Sequence, residues 1–166
     1  MTRILGPAHK SVAILTLALG FLAFSARPAH ADITAFLGLS PTPQRHSVTG
    51  LGVGVGLVIV GFEFEYANIT EDPLEKLPGL KTYSGNVLVQ TPTPSMQFYA
   101  TAGVEGYQER MELAKETNVG TNVGGGAKIG LLGPLRVRVD YRIFKLQGSP
   151  QHDVYQRFYV GANLNF

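Results

Sequence analysis

Few side chains in this sequence are equipped for chemistry, and their spacing works against most reactions. Outside the first 31 residues there are two histidines, His46 and His152, and the chain has no cysteine. Neither histidine has a second one at ligand spacing, so zinc binding has no support, and no metal or cofactor is expected. His46-Ser47 is the one pair that invites comparison with a base and its nucleophile, as in an esterase or acyltransferase. Neighbours on a strand point to opposite faces, so these two cannot easily share a proton. Ser40 and Ser84 are the remaining stand-ins for a nucleophile. The run from Gly50 to Gly56, with glycine at every second position, superficially matches a phosphate-cradling loop. A dinucleotide fingerprint needs a helix after it, and here an apolar strand follows. Gly124-Gly125-Gly126-Ala127-Lys128 lacks both the P-loop spacing and the hydroxyl residue after the lysine.

The informative charges are those that alternate with apolar residues. Glu63 and Glu65 interleave with Val60, Phe62, Phe64 and Tyr66. Arg136, Arg138, Asp140 and Arg142 interleave with Leu135, Val137, Val139, Tyr141 and Ile143. Glu105 and Lys128 belong to two further alternating stretches, and Arg157 to the last one, Val154–Phe166. A period of two is the mark of a strand whose two faces meet unlike surroundings. Eight such strands are expected, at about 32–39, 46–56, 58–67, 81–91, 96–107, 119–131, 135–145 and 154–166. Tight turns at Gly56-Leu57, Pro92–Ser95 and Gly133-Pro134 alternate with longer, more polar connections at Ser40–Arg45, Asn68–Leu80, Gln108–Asn118 and Leu146–Asp153. The fold class is all-β: an eight-stranded, antiparallel, up-and-down transmembrane β-barrel. Each strand is near the length that crosses a bilayer when tilted, and the count is even.

A charge on the lipid face costs about 2–4 kcal/mol at mid-bilayer for Arg or Lys, so the charged face is expected to be the lumen. The luminal network is then Glu63, Glu65, Glu105 and Asp140 against Lys128, Arg136, Arg138, Arg142 and Arg157. An eight-stranded barrel is narrow enough for its side chains to fill, so a plugged, polar core without an open channel is expected. Arg136, Arg138 and Lys128 are placed toward the mouth at the tight-turn end. Tyr66, Tyr83, Tyr107, Tyr141 and Tyr155 are candidates for an interfacial girdle. The connections Asn68–Leu80 and Gln108–Asn118 lean acidic, through Glu71, Asp72, Glu75, Glu109, Glu112 and Glu116. They are read as solvated loops.

Residues 1–31 read as a signal peptide. Arg3 and Lys10 precede an uncharged stretch, and Ala29-His30-Ala31 offers small residues for cleavage before Asp32. Residues 32–166 form the barrel domain. The first segment carries Arg3, Lys10 and Arg27 and no acid. Without it, the balance of 14 basic and 12 acidic residues turns slightly negative. The basic character therefore gives no argument for nucleic-acid binding.

The ending R-F-Y-V-G-A-N-L-N-F, together with the signal-like start and eight alternating strands, resembles the small outer-membrane β-barrel family. That family includes the OmpA transmembrane domain and the OmpX-type and opacity-type proteins. The resemblance implies outer-membrane localisation after export, and contact with outer-membrane lipid and lipopolysaccharide. It also implies recognition by the barrel assembly machinery through Tyr159, Leu164 and Phe166, and a monomer. A peptidoglycan-binding domain is not expected, because the sequence stops at Phe166. The implied role is structural or surface-interacting and non-catalytic. Two alternatives stand beside it: a lipid A-modifying enzyme of the same fold, and a soluble lipocalin-like carrier with its apolar face turned inward.

Overall fold

The computed structural model describes residues 29–42, 45–70, 79–93, 95–111, 114–148 and 152–166, with the side chains of 109–111 and 114–117 left out. The expected signal peptide up to residue 28 lies outside these residues, as do Glu71, Asp72, Glu75 and Glu112. Eight strands follow one another: β1 (His30–Thr42), β2 (His46–Gly56), β3 (Val60–Ile69), β4 (Gly79–Gln90), β5 (Met96–Met111), β6 (Ala114–Leu132), β7 (Leu135–Leu146) and β8 (Val154–Asn165). Each pairs antiparallel with its sequence neighbours, and β8 pairs with β1, which closes the barrel. Two further backbone bonds extend that seam: Ala31 donates to the Phe166 carbonyl at 2.8 Å, and Phe166 donates to the Ala31 carbonyl at 2.9 Å. Closure leaves no unpaired edge along the wall.

Both described ends of the chain and the three tight turns lie at one end, here the turn end. The longer connections lie at the other, the loop end. Gly133 has φ +56°, which suits the first central position of a tight hairpin turn, and Pro134 fixes the second. Several strand boundaries depart from the expected ones, and β1 runs on to Thr42 while β4 starts at Gly79, each inside an expected loop. Val58 falls in the β2–β3 turn and not in β3. The segment Gln108–Asn118 is mostly strand and not loop, since Gln108 pairs with Thr117 and Met111 with Ala114. Ladder pairing uses backbone groups alone, so a polar sequence that leaves the apolar belt can still continue as a hairpin. β1 begins at His30, two residues before the expected cleavage point.

The two faces separate cleanly. Leu51, Val53, Phe62, Phe64, Val87, Phe98, Val104, Val123 and Val160 project outward and are exposed. Glu63, Glu65, Arg138, Asp140, Arg142 and Arg157 project inward and are buried. This is the inverse of what a lipocalin-like carrier requires, which needs an apolar interior.

The lumen is not polar throughout, and here the structure corrects the expectation of a polar core. Its loop end is filled by Val48, Ala67, Ile69, Leu80, Tyr107, Phe144, Leu146 and Tyr155. The inward parity that carries Glu63 and Glu65 on β3 continues to Ala67 and Ile69. The parity that carries Arg138, Asp140 and Arg142 on β7 continues to Phe144 and Leu146. Charge and grease are thus stacked along the axis.

Candidate functional site

The luminal charge cluster is built from three walls. β3 supplies Glu63 and Glu65, β7 supplies Arg138, Asp140 and Arg142, and β8 supplies Arg157 and Tyr159. Arg138 holds both oxygens of Glu63, through Nη1 and, at 3.1 Å, through Nη2. Its Nη2 also reaches Asp140 Oδ2 at 3.1 Å. Arg142 donates from Nε to Asp140 Oδ1 at 2.9 Å and from Nη2 to Glu63 Oε1 at 2.7 Å, and lies 3.3 Å from Glu65 Oε2. Arg157 pairs with Glu65, to which the Tyr159 hydroxyl also donates at 3.2 Å. The pairs to Glu63 and Glu65 cross the lumen from β7 and β8 to β3, which the planar guanidinium fork suits, while those to Asp140 run along β7.

Small residues create the space. At Gly126, a Cβ would collide with the Tyr99 ring; at Gly50, it would collide with the Phe36 ring. The run Gly50–Gly56 is therefore part of β2, with its alternate positions under larger luminal groups, and is not a ligand loop.

The remaining expected network members are placed differently from one another. Lys128 pairs with Asp32 near the turn end. Arg136 is half-buried at the mouth and donates to Asn165 Oδ1 at 2.8 Å, so its partner is an amide and not an acid. Arg138 lies deep in the lumen and not at the mouth; among the described residues it is fully enclosed. Glu105 is buried on β5, and neither of its carboxylate oxygens has a hydrogen-bond partner among the described residues.

Two members were not anticipated. Asp32 is the acid of the Lys128 pair. Tyr99 links the cluster: its hydroxyl donates to Asp140 and accepts from Arg138 Nε at 2.7 Å, and the Arg138 guanidinium lies 4.8 Å from its ring centre. The signal for both was parity. Asp32 shares its face with Thr34 and Phe36, and Tyr99 shares its face with Thr101 and Glu105.

The tyrosine girdle holds only in part. Tyr83 and Tyr141 face outward, and Tyr66 packs on Tyr83 with ring centres 5.1 Å apart. Tyr107 and Tyr155 are buried inside the loop end and cannot belong to a girdle. Tyr107 donates to the Gln147 carbonyl at 2.6 Å. Of the three residues assigned to assembly, Tyr159 is buried and stacks on Phe36 with ring centres 4.0 Å apart. Leu164 and Phe166 are exposed on the outside.

The nucleophile candidates do not form a catalytic arrangement. His46 is half-buried while Ser47 is exposed on the opposite face. Ser40 is the register partner of His46, but it is 1 % exposed. Its hydroxyl donates to the carbonyls of Gln156 at 2.8 Å and Thr42 at 3.1 Å. Ser84 is buried and accepts from Asn86 at 3.2 Å. No group of three or more potential metal ligands occurs among the described residues.

At the turn end a vestibule of about 390 Å³ opens to solvent, lined by His30, Asp32, Gln90, Gln97, Arg136 and Asn165 among others. Asp32, the partner of Lys128, forms part of its wall.

No family model matches this chain, and no curated protein sequence does. Solved structures do. The N-terminal β-barrel domain of Pseudomonas aeruginosa OprF superposes with a TM-score of 0.65 at 15 % identity, over 82 % of this chain and 97 % of that one. Neisserial surface protein A gives 0.66 at 12 % identity, over 83 % and 97 %. The outer membrane enzyme PagL gives 0.53 at 14 % identity, over 80 % and 98 %. What is shared at this level of identity is the architecture: this chain has the fold of the small eight-stranded outer-membrane β-barrels.

Proposed function

We propose that the chain is an integral outer-membrane β-barrel with a structural or surface-interaction role, a plugged lumen and no catalytic activity. The observation that carries this reading is the outward apolar belt on a closed barrel. Phe62 is 56 % exposed, Val104 67 % and Val123 56 %, and comparable residues surround the barrel on every strand. In water such a surface would far exceed the few hundred Å² of apolar patch that monomers tolerate. In hydrocarbon it is the required surface, because every wall hydrogen bond is internal. The proposed orientation puts both termini in the periplasm and the four longer connections outside. Residues 1–31 act as a cleaved signal peptide, and the barrel is a monomer.

The proposed contacts are with outer-membrane lipid and lipopolysaccharide. At the loop end, Asn68, Lys81 and Gln108 form one register row on the outer face, next to the row of Tyr66 and Tyr83. A cation beside aromatic rings at the edge of an apolar belt suits a lipid headgroup. Barrel assembly is proposed to read the β8 end through Tyr159, Leu164 and Phe166. Against the alternative of a lipid A-modifying enzyme stands the buried Ser40 hydroxyl, committed to two carbonyls.

The test is expression with fractionation. The expected result is recovery in the outer membrane, migration in detergent gels that shifts on boiling, and unchanged lipid A acylation. Recovery in the soluble periplasm would overturn the membrane reading, and altered acylation would overturn the non-catalytic one.

A further inference from the structure

The turn end holds a cation without an acid, beside a rim that is apolar where water would be expected to meet it. Arg136 lines the vestibule of about 390 Å³ and is half-buried there. Its Nη2 donates to Asn165 Oδ1 at 2.8 Å, and among the described residues it forms no ion pair. Asp32, the acid in the vestibule wall, is taken by Lys128. Gln90 at the end of β4 and Gln97 at the start of β5 also line the space and are half-buried. Each spends its amide nitrogen on a backbone carbonyl: Gln90 Nε2 donates to Leu57 at 3.3 Å, and Gln97 Nε2 to Thr91 at 3.2 Å. Both amide oxygens are left to accept from elsewhere. His30 lines the vestibule as well, but it leaves with the signal peptide in the reading proposed above.

The rim joins this polar space to the lipid-facing wall. Leu57 and Val58 of the β2–β3 turn line the vestibule and are themselves exposed. Ile59 follows, 53 % exposed, and Val60 and Phe62 then continue the outward belt along β3. Apolar surface therefore runs from the mouth, over the rim, to the outside. In the β6–β7 turn, Leu132 is exposed too. Turns that meet water are usually built from polar and punctuating residues, as the β4–β5 turn is with Thr91, Pro92 and Thr93. Leucine, valine and isoleucine at a turn tip suit a position among lipid headgroups, where their surface is removed from water.

We propose that the vestibule binds the headgroup of a phospholipid that carries a primary ammonium, drawn from the leaflet at the turn end. Its phosphate lies on Arg136, its ammonium on the Gln90 and Gln97 oxygens, and its chains cross the Leu57–Ile59 turn to the wall. The inference rests on the membrane reading given above. The chemistry selects this ligand. A guanidinium fork suits phosphate oxygens, and an ammonium brings three donors and no acceptor, which two amide oxygens can use. A simple anion would leave those oxygens without a donor, and a metal cation would face Arg136. A wholly water-soluble ligand would leave the apolar rim uncovered.

The test uses the full barrel folded into bilayers of phosphatidylethanolamine and phosphatidylcholine in equal amounts. The barrel is then extracted in mild detergent, and the retained lipid is counted by native mass spectrometry. The two lipids share phosphate and chains, but only the first has N–H donors. Phosphatidylethanolamine is expected to be retained about tenfold over phosphatidylcholine, the difference made by one hydrogen bond to a charged group. R136Q lowers its retention by about the same factor, and Q97L brings the two lipids toward parity. Equal retention in the wild type, or unchanged retention in R136Q, would overturn the inference. So would displacement of the lipid by an equal concentration of soluble phosphoethanolamine, because the rim would then contribute nothing. The wild-type comparison decides even where R136Q fails to fold. Gel migration of the same sample separates the two possible failures. A barrel that shifts on boiling but retains neither lipid sinks this inference alone, whereas a chain recovered in the soluble fraction sinks the membrane reading.

Discussion

The same strands build two unlike halves of the lumen. Along β7, Arg138, Asp140 and Arg142 give way after one more inward step to Phe144 and Leu146; along β3, Glu63 and Glu65 give way to Ala67 and Ile69. The turn-side half is held by charge, with each guanidinium placed against carboxylates at fixed angles. The loop-side half is held by packing, where fully burying a large apolar side chain contributes about 1.5–3 kcal/mol without angular demands. Arg157 sits on the border, paired to Glu65 on one side and lying against the Phe144 and Phe36 rings on the other. The contrast shows that inward parity in a narrow barrel specifies burial and not polarity. The charged half gains specificity of arrangement at the cost of desolvating every ion, while the apolar half gains stability with looser specification.

If that contrast is right, the two halves respond differently to loss of one group. The largest effect is expected for R138M. It leaves the apolar stem but leaves both Glu63 and Asp140 to Arg142 alone, with Glu63 Oε2 stripped of its charged partner, which puts the cost at about 3–5 kcal/mol. Denaturant unfolding of the folded barrel in detergent or lipid measures it, and a change below about 1 kcal/mol would mean that the crossing pairs are not what holds this half. A smaller loss is expected for Y99F. The ring stays on Gly126, but the hydroxyl between Arg138 and Asp140 goes, and hydrogen bonds to charged groups contribute about 1.5–3 kcal/mol. Combining Y99F with R138M should cost less than the sum of the two, since both act on one network. Simple additivity in that cycle would show the tyrosine to be independent of the cluster.

Much of the barrel could be read from alternation alone, because β3, β5 and β7 carry charge or amide against aromatic and branched residues at strict period two. What escaped has physical reasons. Asp32 stood at the expected cleavage point, where it read as a new terminus and not as a luminal acid. Parity puts Tyr99 on the inward face with Glu105, but nothing in the sequence shows that Asp140 and Arg138 come within reach of its hydroxyl. Tyr107 and Tyr155 were assigned to the outer rim by their nearness to strand ends, yet their parity with Glu105 and Arg157 puts them inside. The apolar half was missed because Phe144, Leu146 and Ile69 lie at strand ends, where the charged positions had already defined the lumen as polar. That the Glu105 carboxylate has no hydrogen-bond partner among the described residues was beyond the sequence altogether. Alternation shows that a group faces inward but not whether a partner comes within reach.

The smallest expected effect separates the two halves most sharply. Ile69 is buried in the apolar half, 7 % exposed, beside Leu80 in the register of β3 and β4. I69V removes one methylene and keeps the β-branched shape. Trimming of this kind costs about 0.5–1.5 kcal/mol when the surroundings relax around the gap. Neighbouring Leu80, Phe144 and Leu146 have no angular requirement to prevent that relaxation, so a cost near the bottom of the range is expected by denaturant unfolding. The equivalent minimal change in the charged half is R138K, which preserves the charge but not the fork. It loses the two-pronged hold on Glu63 and the Nε contact to Tyr99. If I69V costs as much as R138K, the apolar half is as tightly specified as the charged one, and the contrast between adaptable packing and directional pairing fails.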